Sequence, residues 1–161
     1  FATDRKENEY LVLVGGGEQE AKLRNLTAQL EIDSWVRFVG FVSFEDLPLY
    51  LSLATVAVNP MHRSVVSNAA FPNKVIQYMA AKLPVVSTRL DGLVQTFGEG
   101  SGLVYVDSSD DVYQASQKHY ASLDIAKIGE GNLKAVKERF SINDAVKAME
   151  LRLEQLIGTS S

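Results

Sequence analysis

A parallel α/β sheet with helices on both faces is the fold class that this 161-residue sequence predicts. Two observations carry the prediction. Short β-rich apolar runs alternate with segments of helical periodicity, the order expected of parallel strands joined by crossover helices. The runs are also nearly all apolar, as strands covered on two sides are.

The elements follow in order. The polar opening FATDRKENE reads as a helix end or a linker. Leu11–Val14 is a buried strand stopped by Gly15, Gly16 and Gly17. Leu23, Leu26 and Leu30 then repeat at helical spacing with charges between them. WVRFVGFV alternates and forms a second strand ending at Gly40. Ser43 and Asp46 resemble a capping box, and Phe44, Leu47 and Leu51 make the stripe of a short helix. TVAVNP is a third strand and MHRSVVSNAA a loop. A helix from Asn73 to about Lys82 buries Val75, Ile76 and Met79. PVVST is a fourth strand, LDGLVQTFGEGSG a turn-rich connection and LVYV a fifth strand. After Ser108 the pattern is helical, with a cap at Ser141 and Asp144 and a stripe of Val146, Met149, Leu153 and Leu156.

Bulk properties narrow the function. The chain is 46% hydrophobic and 22% charged, which suits a globular domain, and its length suits a single domain over 1–161. A net charge of −4 argues against a broad nucleic-acid-binding surface. The absence of cysteine excludes disulfides and thiolate metal sites and fits a reducing compartment. No apolar run approaches the roughly 20 residues of a membrane span. No signal-peptide pattern opens the chain, and Phe1 in place of Met leads to the expectation of a piece of a larger protein.

In parallel α/β sheets ligands gather at the carboxyl ends of strands. That rule points to Gly15–Gly17, to Gly40–Val42, to the stretch from Asn59 to Phe71 and to that from Thr88 to Leu93. Three glycines between a strand and a helix let a ligand approach the backbone, although a turn needing positive φ is the commoner reason for such glycines. Lys74 and Gln77 share a helix face. A lysine in a first turn opposes the helix dipole, so it makes sense beside an external anion, or simply as a solvated surface group. His62 and Arg63 lie in the loop after the third strand, within potential reach of a phosphate. His62 and His119 are too far apart in sequence to suggest a metal site, and no catalytic triad or metal-ligand spacing is present. Asp91-Gly92 reads as a turn.

The stretch from LVLVGGGEQE to TVAVNP, then FPNKVIQYMAAKLPVVSTRLDGL and GSGLVYV, resembles the C-terminal, donor-binding domain of GT-B glycosyltransferases. It is most similar to the large retaining family 4, the glycosyl transferases group 1, over about Tyr10 to Val106. The resemblance implies a Rossmann-like half of a two-domain enzyme. Its substrate would be a nucleotide-diphosphate sugar such as a UDP- or GDP-sugar, with no cofactor and no metal. A glycan or lipid-linked acceptor would bind a missing N-terminal domain, toward which the terminal helix 141–161 would pack. The family expectation is a cytoplasmic enzyme at the inner face of the membrane, with peripheral membrane association of the full-length protein and a role in polysaccharide biosynthesis. Hexosyl transfer would need both domains, so this chain alone would be inactive, and its catalytic residues are unassigned.

Residue by residue, the resemblance implies that Gly15, Gly16 and Gly17 face the nucleotide, with Gly15 and Gly17 matching VGxG. Gly40, Phe41 and Val42 match FxGxv, whose backbone lies beside the base. Ala69-Ala70-Phe71-Pro72 stands in place of EGFG, so Ala70 and Phe71 line the donor site but Ala69 replaces a sugar-binding glutamate. Lys74 would meet the diphosphate and Gln77 the ribose, where a glutamate is usual. Gln95 stands where GxxE has an acid, and Lys82 replaces a glycine. The family's opening GR…KG unit has no counterpart here. Two alternatives remain open at this level. One is a non-catalytic module of the same fold with an eroded nucleotide-binding or scaffolding site. The other is a dehydrogenase-type nucleotide enzyme, which the missing GxGxxG disfavours.

Overall fold

The computed structural model describes residues 1–99, 102–120, 124–141, 143, 146, 147, 149 and 150. The chain divides into two compact units, Phe1–Leu53 and Ala54–Ser161. Each is described by itself.

In the first unit β1 (Leu11–Val14) pairs in parallel with β2 (Val36–Gly40), Leu11 opposite Val36 and Val14 opposite Gly40. The register shifts between Leu13 and Val14. One extra residue there turns the chain out of the ladder as the glycines begin. Between the strands lie α1 (Glu20–Gln29) and a 3₁₀ turn at Asp33–Trp35. Thr27 of α1 is buried and donates to Asp33 Oδ1 at 2.9 Å, which ties the helix to that turn. Arg5 lies 3.5 Å from the centroid of the Trp35 ring, and Tyr10 packs on the same ring at 5.4 Å. The unit ends with α2 (Leu47–Ser52).

Two expectations are corrected here. β1 is not covered on both faces: its side chains alternate, leaving Val12 49% and Val14 38% exposed. Leu23 and Leu26 of α1 and Leu30 at its end keep the expected helical spacing and are each more than two-fifths exposed. The expected pairing of Ser43 with Asp46 does form, since the Asp46 amide donates to Ser43 Oγ at 3.0 Å. It makes a turn, however, and helical hydrogen bonding begins only at Leu47, so Phe44 precedes the helix and is exposed.

The second unit holds a parallel sheet ordered β3-β4-β5, from Ala57–Asn59, Val85–Thr88 and Leu103–Val106. Central β4 is buried at every residue, the polar Ser87 and Thr88 included. Val86 and Val112 form a core against Val56, Val58, Val104, Val106, Ala115 and Ile128. At the carboxyl end of the sheet Asn59 Nδ2 donates to Ser87 Oγ at 2.8 Å and Ser87 Oγ to the Thr88 carbonyl at 2.9 Å, while Asn59 Oδ1 is buried with no partner among the described residues.

Two stretches predicted as irregular are helices. MHRSVVSNAA contains α3 (Val65–Ala69), whose capping box is serine to serine: Ser67 N donates to Ser64 Oγ at 3.0 Å and Ser64 N to Ser67 Oγ at 2.7 Å. Serine at the third position replaces the usual acid or amide, so the motif reads as loop polarity. The connection after β4 contains α5 (Asp91–Phe97). Leu90, Leu93 and Phe97, three and four apart, are all buried, and this spacing overrides the turn signal of Asp91-Gly92.

α4 (Asn73–Ala80) buries Val75 and Met79 fully and Ile76 in part. It stops two residues before Lys82, which takes a left-handed φ of 60°. α6 (Val112–Tyr120) and α7 (Ile125–Arg139) follow a 3₁₀ turn at Ser109–Asp111. Asp124 caps α7, accepting from Lys127 N at 3.2 Å. The His119 side chain, Asp144, Leu153, Leu156 and most of the expected helix at 141–161 lie outside the described residues.

Candidate functional site

In the first unit the structure joins Gly15, Gly16 and Phe41 at one place. Gly15 has a φ of 115°, reserved in practice for glycine, and its amide donates to the Gly40 carbonyl at 2.7 Å. Gly40 answers with a φ of 79°. The carboxyl ends of β1 and β2 are thereby latched together. A Cβ on Gly16 would lie 2.8 Å from the Phe41 ring, so glycine is required for the ring to lie where it does. Around Gly17 a Cβ would meet nothing within 4 Å. Phe41 is 85% exposed and Val42 half-buried beside it. A bare glycine backbone next to an exposed aromatic face can accept a planar, stacking group.

In the second unit Ala70, Phe71, Lys74 and Gln77 lie along the turn into α4 and its first turn and a half. Pro72 caps the helix and fixes its entry, and the Val75 amide donates to the Pro72 carbonyl at 2.9 Å. The Phe71 ring is packed inward against Phe97 at 6.0 Å and Phe140 at 5.7 Å. That aromatic cluster anchors the turn and engages the Phe71 ring, leaving its backbone as the part that a ligand could meet. Lys74 is exposed as a side chain, yet partial burial of its ammonium lowers its pKa from the ordinary 10.5. Gln77 is half-buried one turn further on. A cation and an amide side by side over a helix N-terminus can hold an anion and a neighbouring hydroxyl.

Next to this turn is an open depression of about 490 Å³, lined by Val65, Asn68, Ala69, Asp91, Gly92 and Gln95. Asn68 Nδ2 donates to Asp91 Oδ2 at 2.7 Å, while Asn68 Oδ1 is buried with no partner among the described residues. The sequence does not reveal this pair. Its members are 23 residues apart, and Asn68 falls in what reads as loop. Of the other residues that the sequence singles out, His62 and Arg63 are exposed. The His62 backbone carbonyl accepts from Ser67 Oγ at 2.7 Å, which braces the start of α3.

Parallel strands joined by helices in both units define a class, the Rossmann-like α/β proteins. Likeness to known proteins specifies it. The profile of the family described as Glycosyl transferases group 1 matches residues 2–122, and the chain belongs to that family. Among solved structures, the sucrose-phosphate synthase from Thermosynechococcus elongatus is similar with a TM-score of 0.71 and 23% identity, over 93% of this chain and 39% of that one. The Anabaena protein HepE in complex with UDP gives a TM-score of 0.76 at 17% identity, over 91% of this chain and 41% of that one. The pneumococcal O-GlcNAc transferase GtfA, in complex with UDP and GlcNAc, gives 0.62 at 16% identity, over 92% of this chain and 29% of that one. At these identities the likeness establishes the fold, that of GT-B glycosyltransferases. The chain spans about two-fifths of the length of the first two. No curated protein sequence matches.

Proposed function

We propose that this chain is the C-terminal, donor-binding domain of a retaining glycosyltransferase, and that it holds a nucleotide-diphosphate sugar. The observation that carries the reading is the family match over residues 2–122, supported by the chemistry of the strand and helix ends. Taken by itself, the first unit offers the Gly15–Gly17 turn and the exposed Phe41 ring, which suit a nucleotide base. Lys74 and the α4 N-terminus suit a diphosphate, and Gln77 a ribose hydroxyl. In the reaction negative charge develops on the oxygens of the departing diphosphate. A lysine and oriented backbone amides stabilise that charge. The acceptor, a glycan or a lipid-linked sugar, would come from the other domain of the full-length protein. A cytoplasmic site at the inner face of a membrane suits such an acceptor; among the described residues no helix is long and apolar enough to cross one.

Titration calorimetry of the full-length protein with UDP-sugars, GDP-sugars and the free diphosphates tests the reading. Binding of at least one nucleotide is expected, weakened about tenfold or more in Lys74→Ala, since a charged hydrogen-bond donor is removed. No binding by any of them, or full affinity in the variant, contradicts it.

A second reading has specific support. Ala69 carries no hydrogen-bonding side chain and Gln77 and Gln95 carry no charge, as in a module that retains the fold and has lost transfer. Sugar transfer by the full-length protein, abolished in Gln77→Ala, would reject this alternative.

A further inference from the structure

The depression between α3 and α5 is acceptor-rich and has no cation among its lining residues. Asp91 presents a carboxylate whose Oδ2 receives one hydrogen bond from Asn68, at 2.7 Å, leaving its other lone pairs open. Asn68 Oδ1 is buried and unpartnered among the described residues. Oδ1 is closed off from the depression, so Asn68 acts there through its Nδ2 bond to Asp91 and not by touching a ligand. Gln95 adds an amide, and none of the six lining residues is basic. This set repels a phosphate. It suits a neutral ligand with several O–H donors, and Val65 and Ala69 supply an apolar wall for the C–H face of a ring. The spacing is set by backbone: a Cβ on Gly92 would sit 3.0 Å from the Ala70 carbonyl oxygen, so the start of α5 is pressed against the α3–α4 turn. The cavity, about 490 Å³, is large enough for one sugar ring.

We propose that Asp91, anchored by Asn68, is the residue that reads the sugar hydroxyls of the donor, in a subsite distinct from the cationic start of α4. Asp91 determines specificity by direct contact, and Asn68 is a positioning residue that holds the carboxylate in one rotamer. The inference rests on the nucleotide-sugar reading and adds to it the group that selects the sugar. A charged acceptor makes stronger hydrogen bonds than an amide, so Asp91 rather than Gln95 dominates the choice.

The test compares affinities in the full-length protein for a panel of nucleotide sugars (UDP-glucose, UDP-galactose, UDP-N-acetylglucosamine and GDP-mannose) with those for UDP and GDP alone. In Asp91→Ala the best nucleotide sugar is expected to lose about tenfold or more, while the free diphosphate changes less than about twofold. Asn68→Ala should reduce the same preference by a smaller factor, again leaving the free diphosphate alone. Asp91 is exposed, and Asp91→Asn preserves its shape while replacing one charged acceptor oxygen by an amide donor, so thermal melting of that variant separates misfolding from lost recognition. If nucleotide sugar and free diphosphate are both unaffected, or fall together, the Asp91 assignment is overturned and donor binding stands. If the wild type binds free diphosphates and nucleotide sugars equally, the sugar subsite is overturned. If it binds none of them, this inference and the donor-domain reading both fail.

Discussion

Lys74 and Tyr105 show how single environments set measurable properties. Desolvation lowers the Lys74 pKa in the free protein, and a bound diphosphate would raise it by favouring the charged form. Binding therefore takes up a proton between those two values. Affinity is fully present below the free-protein pKa and is lost as pH rises through it. Nucleotide Kd measured across alkaline pH should begin to climb below 10.5, and Lys74→Met should flatten that climb; a pH-independent Kd in the wild type would remove Lys74 from the site. Tyr105 is different in kind. Burial pushes its hydroxyl up to about 12, and that hydroxyl is buried without a hydrogen-bond partner among the described residues. The folded state then holds a proton that the unfolded chain releases near 10, so stability falls as pH rises above 10. Tyr105→Phe deletes the unsatisfied group. It should leave neutral-pH stability unchanged or raise it by about 1 kcal/mol and shrink the alkaline loss, as urea melts at neutral and strongly alkaline pH would show. Lys74 stands out in the sequence as a candidate because a first-turn lysine contradicts the helix dipole. Asn68 and Asp91 are not, because a contact across 23 residues leaves no local trace.

The end of α4 carries the clearest element-scale prediction. Lys82 closes the helix in a left-handed conformation, with its amide donating to the Met79 carbonyl at 3.0 Å and that of Leu83 to the Tyr78 carbonyl at 3.0 Å. A non-glycine residue there costs roughly 1–2 kcal/mol of backbone energy. Its ion pair with Glu130, at 2.6 Å, is solvent-exposed and offsets little of that. Lys82→Gly should stabilise the protein by up to about 1 kcal/mol in thermal melting, and a lowered Tm would show that the ion pair outweighs the strain. The same turn is clamped by α7, where a Cβ on Gly129 would collide with the Lys82 carbonyl oxygen. Gly129→Ala should therefore destabilise by roughly 1–3 kcal/mol despite the better helix propensity of alanine. Elements with a clear β-rich or helical signal, such as β4 and α4, are legible in the sequence to within a few residues. α3 and α5 are hidden by serine, glycine and aspartate, whose turn chemistry is the stronger local signal until buried packing overrules it.

At the scale of the molecule, apolar burial is unevenly shared. The second unit encloses β4 completely, whereas in the first unit Val36 is buried and Val12, Val14, Leu23, Leu26 and Leu30 are each more than a third exposed. Local opening follows the density of buried apolar contacts, so hydrogen exchange should be slower at Val85–Thr88 than at Leu11–Val14 by roughly tenfold or more. Equal protection in the two strands would contradict that ordering. The parallel sheet and the family are both readable from the order of strands, glycine turns and FPNKVIQYMA. The one-sided exposure of β1 is not, because an apolar run reports only what a strand can bury, not what lies against it. The central claim, that the start of α4 holds the diphosphate of a nucleotide sugar, is tested most directly by a crystal structure of the full-length protein with such a donor bound. The diphosphate should lie within about 3 Å of Lys74 Nζ or the first α4 amides. A nucleotide bound with its phosphates away from Lys74 and those amides would contradict it.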